Sequence, residues 1–159
     1  MNNHSNALRL TVAMLLVCLF SPELQAGDWF EDPDTGCKVY GEHHQPIVTV
    51  YWDGDCVNGK ADGNGVLRVH IDDIPFSTYE GELHEGKAHG YGVLTSPNNS
   101  RYEGEFRNNN MHGHGAIISV DGKRMEGNFH EGLPHGIMTI RAPGTDPVEV
   151  EFSHGQRVR

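Results

Sequence analysis

A pattern of 23 residues recurs along this chain, and the period constrains the fold more than any single residue does. Tyr79-Glu-Gly81-Glu, then Gly86, then Gly90-Tyr-Gly92, sets the template. Tyr102-Glu-Gly104-Glu, Asn109 and Gly113-His-Gly115 repeat it; Met125-Glu-Gly127-Asn, Gly132 and Gly136-Ile-Met138 repeat it again. A fixed period means one small supersecondary unit stacked on copies of itself.

With the glycine after the aromatic-Glu pair as position zero, the zeros are Gly54, Gly81, Gly104, Gly127 and Val150, spaced by 27, 23, 23 and 23 residues. Glycine returns at plus five (Gly59, Gly86, Gly132, Gly155; Asn109 in the third copy), plus nine (Gly63, Gly90, Gly113, Gly136) and plus eleven (Gly65, Gly92, Gly115). Each unit reads as a β-hairpin. Tyr79, Gly81 and Leu83 alternate with Glu80, Glu82 and His84, the period of a strand with two unlike faces. Glu85 to Gly90 carries the turn chemistry, and Tyr91–Thr95 is the return strand. Ser96–Ser100, and Asp121-Gly122 one repeat later, turn the chain into the next unit. The four extra residues near Asp72-Asp73-Ile74-Pro75 read as a longer turn. Glycine inside strands marks places where a backbone or ring must approach closely.

This grid resembles the MORN (membrane occupation and recognition nexus) repeat, whose pattern is aromatic-x-Gly-x-x-x-x-Gly-x-x-x-Gly-x-Gly. Tyr79–Leu94, Tyr102–Ala116 and Met125–Ile137 carry it, Val148–Gly155 carries part of it, and Trp52–Leu67 fits with Trp52 in the aromatic slot. The resemblance implies an all-β fold, an elongated single-layer antiparallel sheet of stacked hairpins. The expected repeats lie near 52–74, 79–101, 102–124 and 125–147, with a partial one at 148–156, in a sheet spanning 50–157.

Residues 1–26 read as a secretory leader: Arg9, an apolar run from Leu10 to Phe20, then Leu24-Gln25-Ala26 before Gly27. An uncleaved membrane anchor is the alternative. The leader holds one Arg and one Glu, so the formal charge of −10 belongs to the rest of the chain. Nucleic acid and anionic lipid call for a Lys/Arg footprint, which is missing here. Without Cys18 the chain keeps Cys37 and Cys56, which in an exported small domain read as one disulfide; two buried thiols are the alternative. The stretch from Gly36 to Cys56 is similar to the opening of exported bacterial MORN proteins. That likeness implies that residues 27–49 form a cap tied to the first repeat, and a bacterial protein placed in the periplasm or secreted. A linear stack leaves open edges that need such cover.

His89, His112 and His135 share the plus-eight slot, where the first repeat has Asp62. Equivalent residues in successive hairpins stand two strand spacings apart, about 9.5 Å. Zinc ligands lie about 2 Å from the ion, so this column alone reads as turn chemistry and no metal is expected. His43-His44 are adjacent and point to opposite faces of a strand. His112 and His114 share a face but lack a third ligand.

Glutamates form two columns, Glu80, Glu103, Glu126 and Glu149 before the zero, and Glu82, Glu105 and Glu151 after it, with Asn128 as a break. Glu80 and Glu82 would stand about 7 Å apart, a spacing compatible with inverting glycoside hydrolysis. An acid and a base need unlike surroundings, whereas these pairs recur in like ones, so a solvated acidic face is expected. Tyr79, Leu83, Tyr91, Tyr102, Phe106, Phe129 and Phe152 form the candidate interaction row. Such a row is more often core, but one face of a thin sheet has little to pack against. These residues therefore either fill the concave side of a twisted sheet or meet another molecule.

These readings converge on a non-enzymatic, exported repeat protein without a cofactor, offering an elongated surface to a protein partner or to itself. Scaffolding and dimerisation are roles the resemblance implies. It also implies membrane or lipid association as an alternative; a carbohydrate-binding or hydrolytic protein using the glutamate rows is the third reading.

Overall fold

The computed structural model describes residues 27–41 and 48–158. The expected leader, Cys18 and His43-His44 lie outside the described residues. The described chain is all-β: β1 (Asp28–Glu31), β2 (Lys38–Gly41), β3 (Val48–Trp52), β4 (Asp55–Val57), β5 (Lys60–Ile71), β6 (Ile74–His84), β7 (Lys87–Thr95), β8 (Arg101–Arg107), β9 (Asn110–Ile118), β10 (Arg124–His130), β11 (Leu133–Arg141), β12 (Val148–Ser153) and β13 (Gln156–Arg157). From β5 to β13 each strand pairs antiparallel with the next in one open sheet. β3 and β4 share the other edge of β5, and β2 meets β5 in a single parallel pairing, Lys38 opposite Lys60.

Each hairpin turns on two residues. Asn58-Gly59, Glu85-Gly86, Asn108-Asn109, Glu131-Gly132 and His154-Gly155 all have positive φ at both positions, the geometry whose twist matches paired strands. The turn is therefore shorter than the Glu85–Gly90 segment expected from sequence, and Lys87–His89 already belong to β7. Gly90 marks a bulge instead: Gly81 faces Gly92, whereas Glu82 faces His89, leaving Gly90 and Tyr91 as extra residues on β7. The four-residue insertion is not a longer turn either. It lengthens β5 and β6 into a hairpin closed by Asp72-Asp73, φ 50° and 63°, with Ile71 opposite Ile74. β3 pairs along this extension, Val48 to Ile71 and Val50 to Val69.

The glycine columns exist to let rings lie down on the sheet. Tyr79 leans across Gly81 and Gly92, and a Cβ added to Gly92 would come within 2.6 Å of its Cε2. Its hydroxyl donates to the Glu82 carbonyl at 2.9 Å; the Tyr102 hydroxyl donates to Glu105 at 2.9 Å and the Trp52 indole to Asp55 at 2.8 Å. Burial, seconded by the nearby Glu82 and Glu105 charges, pushes both phenols above their ordinary ionisation range. Phe106 meets Tyr79 and Tyr102 edge-on, with ring centres 5.1 and 5.0 Å apart, and Phe129 meets Tyr102 at 5.2 Å. One sheet thus covers its own apolar face. The fourth repeat solves the same volume differently: Met125 replaces the tyrosine, and Met138, fully buried, replaces the glycine across from it.

A second ladder stitches the turns. The N–H groups of Gly86, Asn109, Gly132 and Gly155 donate to the carbonyls of Ala61, Ala88, Met111 and Pro134, each in the preceding repeat. The β1–β2 hairpin lies over the first of these turns: Lys38 N–H donates to Gly59 and Tyr40 N–H to Gly86. Lys60 sits over the Trp29 ring and Lys87 over the Tyr40 ring, at 5.1 and 4.5 Å from their centres. Cys37 and Cys56 form a disulfide between this hairpin and β4. Closing such a loop contributes about 3 kcal/mol. Asp32, 2 % exposed, accepts the Trp52 N–H at 2.7 Å and the N–H groups of Asp34 and Thr35. Burial opposes its ionisation, but these donors outweigh it and hold the carboxyl below its ordinary value.

Candidate interaction surfaces

The aromatic row expected to meet a partner divides in the structure. Tyr79, Leu83, Tyr102, Phe106 and Phe129 are 1–5 % exposed and form the core, and Phe152 packs half-buried against it. Tyr91 stands apart at 65 % exposure, because its bulge turns it to the opposite face. Ile137, the equivalent residue two repeats on, is 62 % exposed. The physical reason is the glycine grid: rings that can lie on glycine have no need of an external layer.

The opposite, outer face carries the glutamate columns, and it is a charge lattice rather than a plain acidic sheet. Arg124 contacts Glu103 at 3.5 Å and Glu126 at 3.1 Å; Arg141 and His114 contact Glu126 at 3.4 Å each; Arg101 holds Glu103. The Arg124 hydrogen bond, followed by that of His114, keeps the Glu126 carboxyl below its ordinary value. The glutamates after the zero have a structural role. Glu105 accepts the His114 N–H at 3.0 Å, and the Glu82 and Glu105 carboxylates lie where a Cβ on Gly90 or Gly113 would stand. Sequence reasoning assigned these columns to solvent and did not pair them with Arg101, Arg124 and Arg141.

Histidines gather more closely than one column allows. His130, three residues after its zero, lies between His112 and His135, with ring centres 5.6 and 6.3 Å away. His135 in turn lies 5.4 Å from His154. A separate pair, His84 and His89, is 5.9 Å apart, and His84 Nδ1 stands 3.3 Å from Asp62. The 9.5 Å estimate skipped the intervening strand. His84, His130 and His154 were missed, although the first two share the plus-three slot. Among the described residues no group of three or more His, Cys, Asp and Glu side chains is already placed to hold one metal ion.

A repeat of this period, with two-residue turns and rings laid over glycine, defines a class of protein built from stacked hairpins. The family model described as "MORN repeat" matches residues 52–68, 79–101, 102–124 and 126–137. The chain is a MORN-repeat protein. No curated protein matches it.

Proposed function

We propose that this chain is a non-enzymatic, exported binding module that engages a protein partner through the outer face of its sheet. MORN repeats commonly serve protein or membrane interactions and are generally non-catalytic. The observation that carries the reading is Tyr91: a tyrosine 65 % exposed at the centre of a β-surface, beside the charge lattice of Glu103, Arg124 and Glu126. An amphipathic ring flanked by polar groups that fix register is the composition of a protein-contact hot spot. Export is supported by the Cys37–Cys56 disulfide, which an oxidising compartment preserves.

The test is crosslinking from the producing cells, with the full chain as bait and Tyr91→Ser/Ile137→Ser as comparison. A partner held by the native chain and lost with the pair supports the outer face. Retention of the same partner by the pair would sink that assignment. Flotation with neutral and anionic vesicles addresses the membrane alternative: co-flotation without any protein crosslink would replace the proposal.

A further inference from the structure

We propose that the run His112, His130, His135 and His154 is a surface chelating strip for divalent transition-metal ions of the zinc, copper and nickel class. The run follows from two columns of the repeat meeting. His112 and His135 lie at plus eight, His130 at plus three, and His154 in the last hairpin turn, so the rings come from adjacent strands and the turn beyond. His112 and His130 follow Met111 and Phe129, both buried, so the alternation of a strand sends these imidazoles outward.

Two imidazoles bound to one tetrahedral ion at about 2 Å have ring centres about 5 Å apart. The observed separations of 5.6, 6.3 and 5.4 Å are within a side-chain rotation of that value. His130, His135 and His154 are exposed and His112 is half-buried, so the rotation disturbs no core contact. Neighbouring pairs therefore supply two nitrogens each, water completing the shell; three converged ligands are not required. Imidazole selects zinc, copper and nickel over magnesium and calcium, which prefer oxygen. The Asp62–His84–His89 group belongs to β5, β6 and β7, and β8, with Arg107 in the plus-three slot, lies between those strands and this run.

The experiment is titration of the full chain, without a histidine tag, with zinc chloride by calorimetry, and with magnesium chloride as the contrasting ion. The variant His112→Gln/His130→Gln/His135→Gln/His154→Gln is compared with His84→Gln/His89→Gln. The native chain and the second variant should bind zinc alike, while the first binds more than about tenfold more weakly, the least loss expected when donor atoms themselves are removed. Equal zinc binding by the first variant, loss in the second, or the same uptake of magnesium would each overturn the assignment. Should the fourfold variant fold poorly, imidazole resonances of the native chain decide the matter. Substoichiometric copper should broaden the four named rings before that of His70, which packs against Tyr51; the reverse order overturns it.

Discussion

The Asn109 side-chain amide donates to the Tyr40 carbonyl at 2.9 Å, joining the cap to the third repeat across 69 residues of sequence. Its Oδ1 accepts the Ala88 N–H at 2.7 Å while its own N–H donates to the Ala88 carbonyl. The one break in the plus-five glycine column is thus a clasp.

Asn109→Gly should therefore destabilise the protein although glycine suits φ 70° better than asparagine does. Two side-chain hydrogen bonds at about 1 kcal/mol each, less the relief of backbone strain, give a net loss of about 1–2 kcal/mol. Urea unfolding measures it. Unchanged or raised stability would show that the clasp contributes nothing.

The core tyrosines and Tyr91 should respond oppositely to the same substitution. Tyr102→Ser removes a ring that is 1 % exposed and should cost about 3–5 kcal/mol. Tyr91→Ser removes a ring in solvent and should change stability by less than about 0.5 kcal/mol. Comparable losses at both sites would contradict the division of the two faces.

Met125 and Met138 should behave as one unit. Met125→Tyr alone forces a ring against Met138, and Met138→Gly alone empties the space Met138 fills, so each should destabilise by about 1–3 kcal/mol. Together they restore the tyrosine-over-glycine arrangement of Tyr102 and Gly115. A double-mutant cycle should show favourable coupling of about 1–3 kcal/mol. Simple additivity would mean the two slots do not exchange volume.

Acid should loosen the cap. The Asp32 carboxyl is held below its ordinary value of 3.8 in the folded chain and returns to it on unfolding. Its contribution is present in full above the unfolded value and is lost as pH falls through the folded one. The stability difference between native chain and Asp32→Asn should shrink with acidification below about pH 4. A difference independent of pH would remove the charge from the account.

The hairpin period, the strand alternation and the family were legible because glycine, tyrosine and glutamate recur at fixed offsets. Tyr79 and Tyr102 were legible as a row, and core was one of its two readings, but which of the two holds was not. Seeing that requires the ring to lie across Gly92 or Gly115, a contact between strands that spacing does not show. Asp72-Asp73 read as a loop because nothing in the sequence says that β3 pairs beside them. The histidine run was obscured by following one column, when the sheet interleaves plus eight with plus three. Asn109 looked like a lapse in the pattern; its meaning depends on Tyr40, which belongs to no repeat.

The turn ladder gives the stack a direction. Every rung runs from a turn back to the repeat before it; the first two turns also accept the Lys38 and Tyr40 N–H groups, and the Asn109 amide donates to the Tyr40 carbonyl. Among the described residues the last turn is held by the short β13 and the Val158 N–H bond to Glu151, with no hairpin laid across it as β1–β2 is across the first turns. Unravelling should begin there and move toward the cap like a zipper opened from one end, so amide exchange should be fastest in β12 and slow progressively toward β6.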